Sequence, residues 1–207
     1  MTPDFFVLTT AFAAIGGAAL IAAGLAWLRP ELDVAPRRAG AEAALVSLIG
    51  VAAIIYAGRG GVEPVIFVAA LAALSVIDLR GLVLPDIVTL PLIGFGLVFA
   101  LLTGLWEASE RLIGAGLGFA AFWALGEAWY RLRGVDALGR GDAKLFSGIG
   151  AFLGWRALPD VALIAALAGI AFGLWRKSRG GDDAAPFGPA LALGAVVIWA
   201  FGPVLSG

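Results

Sequence analysis

The chain contains no cysteine and no histidine. Without cysteine there are no disulfides, no thiol nucleophile and no Cys-based metal site. Without histidine the commonest general base and the commonest metal ligand are missing as well. Acid–base chemistry by this chain's own side chains therefore falls to Asp, Glu, Lys, Arg or Tyr. Charge is also scarce: 14% of the 207 residues are charged and 61% are hydrophobic. A soluble domain is about half apolar and about a quarter charged, so the bilayer is the expected solvent. The net charge of −1 gives no argument for nucleic acid or acidic partners.

The apolar residues fall into long runs. A spanning helix needs about 20 of them, and the runs at 5–28, 42–58, 62–79, 85–105, 109–130, 143–158, 160–176 and 187–205 predict eight spans. The expected fold is an all-α polytopic membrane helix bundle forming a single domain over 1–207. The first run lacks a basic n-region and exceeds a signal-peptide core, so it reads as a span that stays. The turn Arg156-Ala-Leu-Pro159-Asp160 is expected to be tight. Recurring glycines, as in Gly114-Ala-Gly116-Leu-Gly118 and Gly148-Ile-Gly150, lack the strand–loop–helix context of a nucleotide loop. They read as close helix packing through small residues.

Basic residues set the expected orientation. Arg29, Arg37, Arg38, Arg80, Arg131, Arg133, Arg140, Lys144, Arg176, Lys177 and Arg179 fall in the odd-numbered loops, against Arg59, Arg111 and Arg156 on the other side. An excess of Lys and Arg marks cytoplasmic loops, which places both termini outside. Asp78 and Asp142 then share the cytoplasmic side.

Most acids have an ordinary explanation. Glu31, Asp33, Asp182 and Asp183 lie in basic loops, and Glu107, Glu110 and Asp160 in outer turns. Glu127 stands four residues before Arg131, a spacing for a helical ion pair. Asp78 differs because it ends the apolar run from Val65 to Ile77. An ionisable group there is costly unless it faces the bundle interior or water, which makes it a functional candidate. The alternative is a headgroup-level acid paired loosely with Arg80. Beyond it, Gly81 and Pro85 should end one helix and start the next, placing Asp86 where a negative side chain suits the helix dipole. Asp142 opens the sixth run within Gly139-Arg-Gly141-Asp142-Ala-Lys144-Leu145, where it reads as a helix N-cap or as a functional acid.

Taken together, these motifs resemble those of the type IV prepilin peptidases, the bacterial branch of the Gly-x-Gly-Asp membrane aspartic proteases. That family ends one span on an Asp and opens the next with Pro-Asp/Asn and a Thr, matched by Asp78, Pro85-Asp86 and Thr89. Its second motif is matched by Gly139 to Leu145 with Gly148, Gly150 and Gly154-Trp155 downstream, and a third by Pro186-Phe187-Gly188-Pro189. The resemblance covers about residues 62–200. It implies catalytic aspartates at Asp78 and Asp142, with Gly139, Gly141, Lys144, Asp86, Thr89 and Asp136 as supporting or substrate-binding residues. It implies cleavage of the basic leader of prepilin or pseudopilin precursors at the cytoplasmic face of the bacterial inner membrane, for a type IV pilus or type II secretion, without a metal or cofactor. Membrane lipid is the other expected partner. Many relatives insert a domain with two Cys pairs after their first span and methylate the cleaved product. Here only Arg29 to Gly40 stands between the first two runs, so methyl transfer and a Cys-bound zinc do not carry over. The rival readings are a non-enzymatic transporter or assembly factor, and a related membrane aspartic peptidase with another substrate.

Overall fold

The computed structural model describes residues 62–134, 139–179 and 186–203. The expected spans at 5–28 and 42–58 and the candidate Asp136 lie outside the described residues. Within them the chain is all-helical: α1 (Val62–Gly81), α2 (Asp86–Thr103), α3 (Leu105–Arg133), α4 (Arg140–Leu153), a 3-10 turn (Trp155–Ala157), α5 (Leu158–Ser178) and α6 (Gly188–Phe201). Four segments, α1, α2, α3 and the turn with α5, are long and apolar enough to cross a membrane; α6 is a shorter apolar helix.

The breaks fall where backbone chemistry puts them. Helix α1 ends at Gly81, and Leu82 follows with φ +52, a left-handed conformation that a branched side chain adopts only at a cost. Asp86 opens α2 immediately after Pro85, which has no N–H to leave unpaired. The sixth expected span, 143–158, is shorter and earlier than its apolar run suggests. Gly154 takes φ +79 and ends α4 at Leu153, and the next three residues form the 3-10 turn. Pro159 then sits in the first turn of α5, where it is tolerated. Helix α3, by contrast, runs 29 residues, about 43 Å at 1.5 Å per residue, and outreaches a hydrocarbon core of about 30 Å.

Helix α4 is the centre of the bundle. Every residue from Leu145 to Phe152 is buried, and α4 packs against α2, α3 and α6. Glycine permits the closest of these contacts. A Cβ on Gly150 would lie 2.2 Å from the carbonyl oxygen of Gly114, so α3 and α4 meet backbone to backbone. Ser147 Oγ donates to the Ala115 carbonyl at 2.9 Å in the same seam. Aromatic rings fill the space between α1, α4 and α6: Phe67 stacks on Phe152 at 4.6 Å and lies 5.2 Å from Trp199. In α1, 67% of the apolar window is buried, against 22% in α2 and in α3. Those two helices turn Leu90, Phe95, Val98, Leu112 and Leu117 outward, as expected of helices whose solvent is lipid.

Charges near the starts of α1 and α3 pair up. Arg111 bonds Glu63, and Arg156 lies 3.5 Å from Glu110. Asp160 sits in the first turn of α5, next to the 3-10 turn, and is buried. At the opposite end Glu127 and Arg131 form the expected i,i+4 pair at 2.8 Å.

Candidate active site

Asp78 lies three residues before the end of α1 and is buried, with 5% of its surface exposed. Its Oδ2 accepts a hydrogen bond from the backbone N–H of Gly188, the first residue of α6, at 2.8 Å. A helix N-terminus presents unpaired N–H groups and a partial positive charge, which suits a carboxylate. Residue 188 must be glycine for this contact, since a Cβ there would lie 2.8 Å from the same Oδ2.

Asp142 stands in the first turn of α4, ahead of the sixth apolar run and outside the four long apolar segments. It caps the helix from the third position rather than as the N-cap residue. Gly139 N–H donates to its Oδ2 at 3.2 Å, while the Gly139 carbonyl accepts from the Asp142 N–H at 3.0 Å. Burial pushes the Asp142 carboxyl up from 3.8 to about 7, and the negative charge of Asp78 adds to the rise. The Gly139 N–H pulls the other way. The two aspartates thus occupy the same end of the bundle, near enough for one to act on the other's charge.

The remaining candidates divide by position. Gly141 packs on Leu84, where an added Cβ would come within 2.8 Å of the leucine Cβ. Lys144 Nζ donates to Asp86 Oδ1 at 2.5 Å, joining α4 to the start of α2. Thr89 is fully buried and its Oγ1 donates back to the Pro85 carbonyl at 3.3 Å, so its hydroxyl serves its own helix start. A cleft of about 280 Å³ opens between the end of α3 and the start of α4, lined by Phe122, Trp123, Glu127, Tyr130, Gly139, Arg140 and Ala143. Its floor is the segment that flanks Asp142. Among the described residues no three acidic side chains cluster as a metal site.

Sequence reasoning picked out Pro186-Phe187-Gly188-Pro189 as a motif but gave Gly188 no task. Its partner Asp78 is 110 positions away. The one local signal was a glycine set between aromatic and proline residues at a helix start. Leu84 was likewise unremarked, since a lone leucine before Pro85 carries no signal of its own.

Comparison with known proteins supplies independent evidence. The type IV leader peptidase family matches residues 65–174, the stretch that carries both aspartates. A prepilin leader peptidase/N-methyltransferase of Burkholderia pseudomallei (strain 1026b) is 42% identical over 141 residues, covering 65% of this chain and 44% of that protein. One from Pectobacterium carotovorum subsp. carotovorum is 37% identical over 190 residues, covering 87% of this chain and 67% of the relative. One from Aeromonas salmonicida (strain A449) is 38% identical over 166 residues, covering 79% and 57%. The chain therefore spans about half to two thirds of the length of these relatives. No solved structure matches it. With the family matched across more than half of the chain, and across both aspartate-bearing helices, this protein belongs to the type IV leader peptidase family.

Proposed function

We propose that this chain is a membrane aspartic endopeptidase that uses Asp78 and Asp142 to remove the basic leader of type IV pilin-like precursors. The observation that carries the reading is the pairing of a buried Asp78 with an Asp142 whose carboxyl is raised to about 7 by burial and by that neighbour. Two carboxylates that repel in this way share one proton near neutral pH.

The chemistry follows from that shared proton. The ionised carboxylate takes a proton from a water molecule as its oxygen attacks the scissile carbonyl carbon. The protonated carboxyl donates a hydrogen bond to the carbonyl oxygen, and a tetrahedral intermediate forms. Its collapse breaks the C–N bond, and a proton passes from the dyad to the leaving nitrogen. The two acids titrate as a pair, so the shared proton belongs to both. The cleft lined by Gly139, Arg140 and Ala143 offers a substrate backbone a route to Asp142, whereas Gly141 is taken up by its contact with Leu84.

The cleavage site is placed at the cytoplasmic face of the inner membrane, with eight spans and both termini outside. This placement rests on the distribution of basic residues and on the apolar runs. A single peptidase domain over 1–207 working on lipid-embedded precursors fits the same evidence. Methyl transfer is not part of the proposal, because the chain has no cysteine and only a short connection between its first two apolar runs.

Asp78→Asn and Asp142→Asn, each assayed in membranes on a prepilin-type precursor, should lose cleavage by about 10²- to 10⁴-fold, the range of a lost general acid or base. Full activity in either variant excludes the dyad.

A further inference from the structure

The helices that carry the two aspartates are fastened to each other at both ends by different means. Toward the outer side α1 and α4 meet through Phe67 stacked on Phe152. Toward the aspartates the link passes through the connector 82–85, which leaves α1 just beyond Asp78. Its Leu84 lies against Gly141, the neighbour of Asp142. One residue past the connector, Asp86 Oδ1 accepts the hydrogen bond from Lys144 Nζ at 2.5 Å. Lys144 stands two residues after Asp142, and two helical residues turn about 200°, so it reaches away from Asp142 toward α2.

We propose that the Asp86–Lys144 ion pair is a clasp that sets the spacing of the two aspartates, by tying the connector that leaves the Asp78 helix to the helical turn that carries Asp142. The inference rests on the aspartic-dyad reading above. Asp86 and Lys144 are positioning residues here, since neither is required to touch substrate. The side chains are 56% and 29% exposed, and ion pairs this open to solvent add little to stability. Geometry is another matter. Displacing a reacting group by about 1 Å costs on the order of 100-fold in rate, so a contact that contributes little to folding still controls turnover when it fixes the dyad.

The rival role for Lys144 is electrostatic, its charge acting directly on Asp142, and a charge swap separates the two. The clasp predicts that Asp86→Asn and Lys144→Gln each lower kcat roughly 10- to 100-fold. KM should stay within about twofold, and any displacement of the alkaline limb of the pH–rate profile should have the same direction in both variants, because both release the same contact. It predicts that Asp86→Lys combined with Lys144→Asp recovers most of the rate, and that Lys144→Arg keeps it. A direct charge effect predicts the opposite for the swap, because an acid at position 144 adds negative charge beside Asp142. The measurement is cleavage of a prepilin-type precursor by full-length protein in membranes, normalised to inserted protein. Wild-type rates in both single variants overturn the clasp, and so does an alkaline limb displaced in opposite directions by the two, as a direct charge effect requires. If the swap variant does not insert, Lys144→Arg decides, and loss of activity there overturns the clasp. Failure of the wild-type chain to cleave overturns the peptidase reading itself, whereas wild-type cleavage with unaffected single variants overturns the clasp alone.

Discussion

At the scale of single residues, two atoms next to the aspartates make the sharpest predictions. The Gly188 N–H holds Asp78 Oδ2 at 2.8 Å, and the space for a side chain at 188 is already filled by that carboxylate. Gly188→Ala should push the Asp78 carboxylate aside and lower kcat by about 10- to 100-fold, with the protein still inserted in the membrane; an unchanged kcat separates Gly188 from the dyad. The second prediction concerns protons. Burial first, and the Asp78 charge second, raise the Asp142 carboxyl to about 7. The shared proton is therefore held below that pH and lost above it, so cleavage should decline as pH rises through about 7. The same sign applies to stability. A carboxyl raised in the fold contributes stability present at low pH and lost as pH rises through its folded value. Asp142→Asn should accordingly flatten the fall in Tm between about pH 4 and pH 7. A cleavage profile that stays level from pH 6 to 9 contradicts the assignment to Asp142. As candidates both aspartates were legible in the sequence, Asp78 as an acid ending a long apolar run and Asp142 through a Gly-x-Gly-Asp motif that resembles the family's, since on its own it read equally as a helix cap. The contact between Asp78 and Gly188 was not legible, because no local pattern reports a partner 110 positions away.

At the scale of elements, the helices were legible from apolar runs and the seam between two of them from glycine spacing. Gly114 and Gly150 meet at their backbones, as small-residue packing in membranes anticipates. Gly150→Val should force α3 away from α4, because its Cβ would meet a carbonyl oxygen rather than a flexible side chain. The expected loss is about 1–3 kcal/mol or more, the range for overpacking a filled interior, measured by denaturation in detergent. Gly116→Val, on the same helix but with open space where its Cβ would go, should cost far less. Equal losses in the two variants contradict a packing role for the seam. The end of α4 is where hydropathy misleads. Residues 143–158 form one apolar run, yet the chain turns at Gly154 because its φ is +79, and apolarity carries no information about φ. The 14-residue α4 is about 21 Å long, and its burial rather than its length qualifies it as the helix that bears Asp142.

At the scale of the whole molecule, the order of the apolar runs does not reveal which helix is central. In lipid, core-facing and solvent-facing residues are both apolar, so no stripe marks the inside. Helix α4 proves central because its small residues let α2 and α3 close on it while α6 packs alongside, and only the assembled bundle shows that. Orientation relative to the membrane is a different matter, since it depends on charges that remain at the surface. Both of the described basic residues assigned to the outer side, Arg111 and Arg156, are matched by acids, Glu63 and Glu110. Basic residues at the opposite end include Arg131 and Arg133 at the end of α3, and Arg176 and Lys177 in the last turn of α5. More of the basic residues lie at the Asp78–Asp142 end, and the proposed placement of that end in the cytoplasm rests on this count. The absence of cysteine makes this directly testable, because any thiol introduced is unique. Ser109, near the start of α3, and Ser178, at the end of α5, are both exposed and lie at opposite ends of the bundle. In intact cells with a permeabilised outer membrane, Ser109→Cys should react with a membrane-impermeant maleimide, and Ser178→Cys should react only after the inner membrane is opened. The reverse labelling pattern would turn the bundle over and place the aspartates on the wrong side of the membrane for a leader that is cut in the cytoplasm.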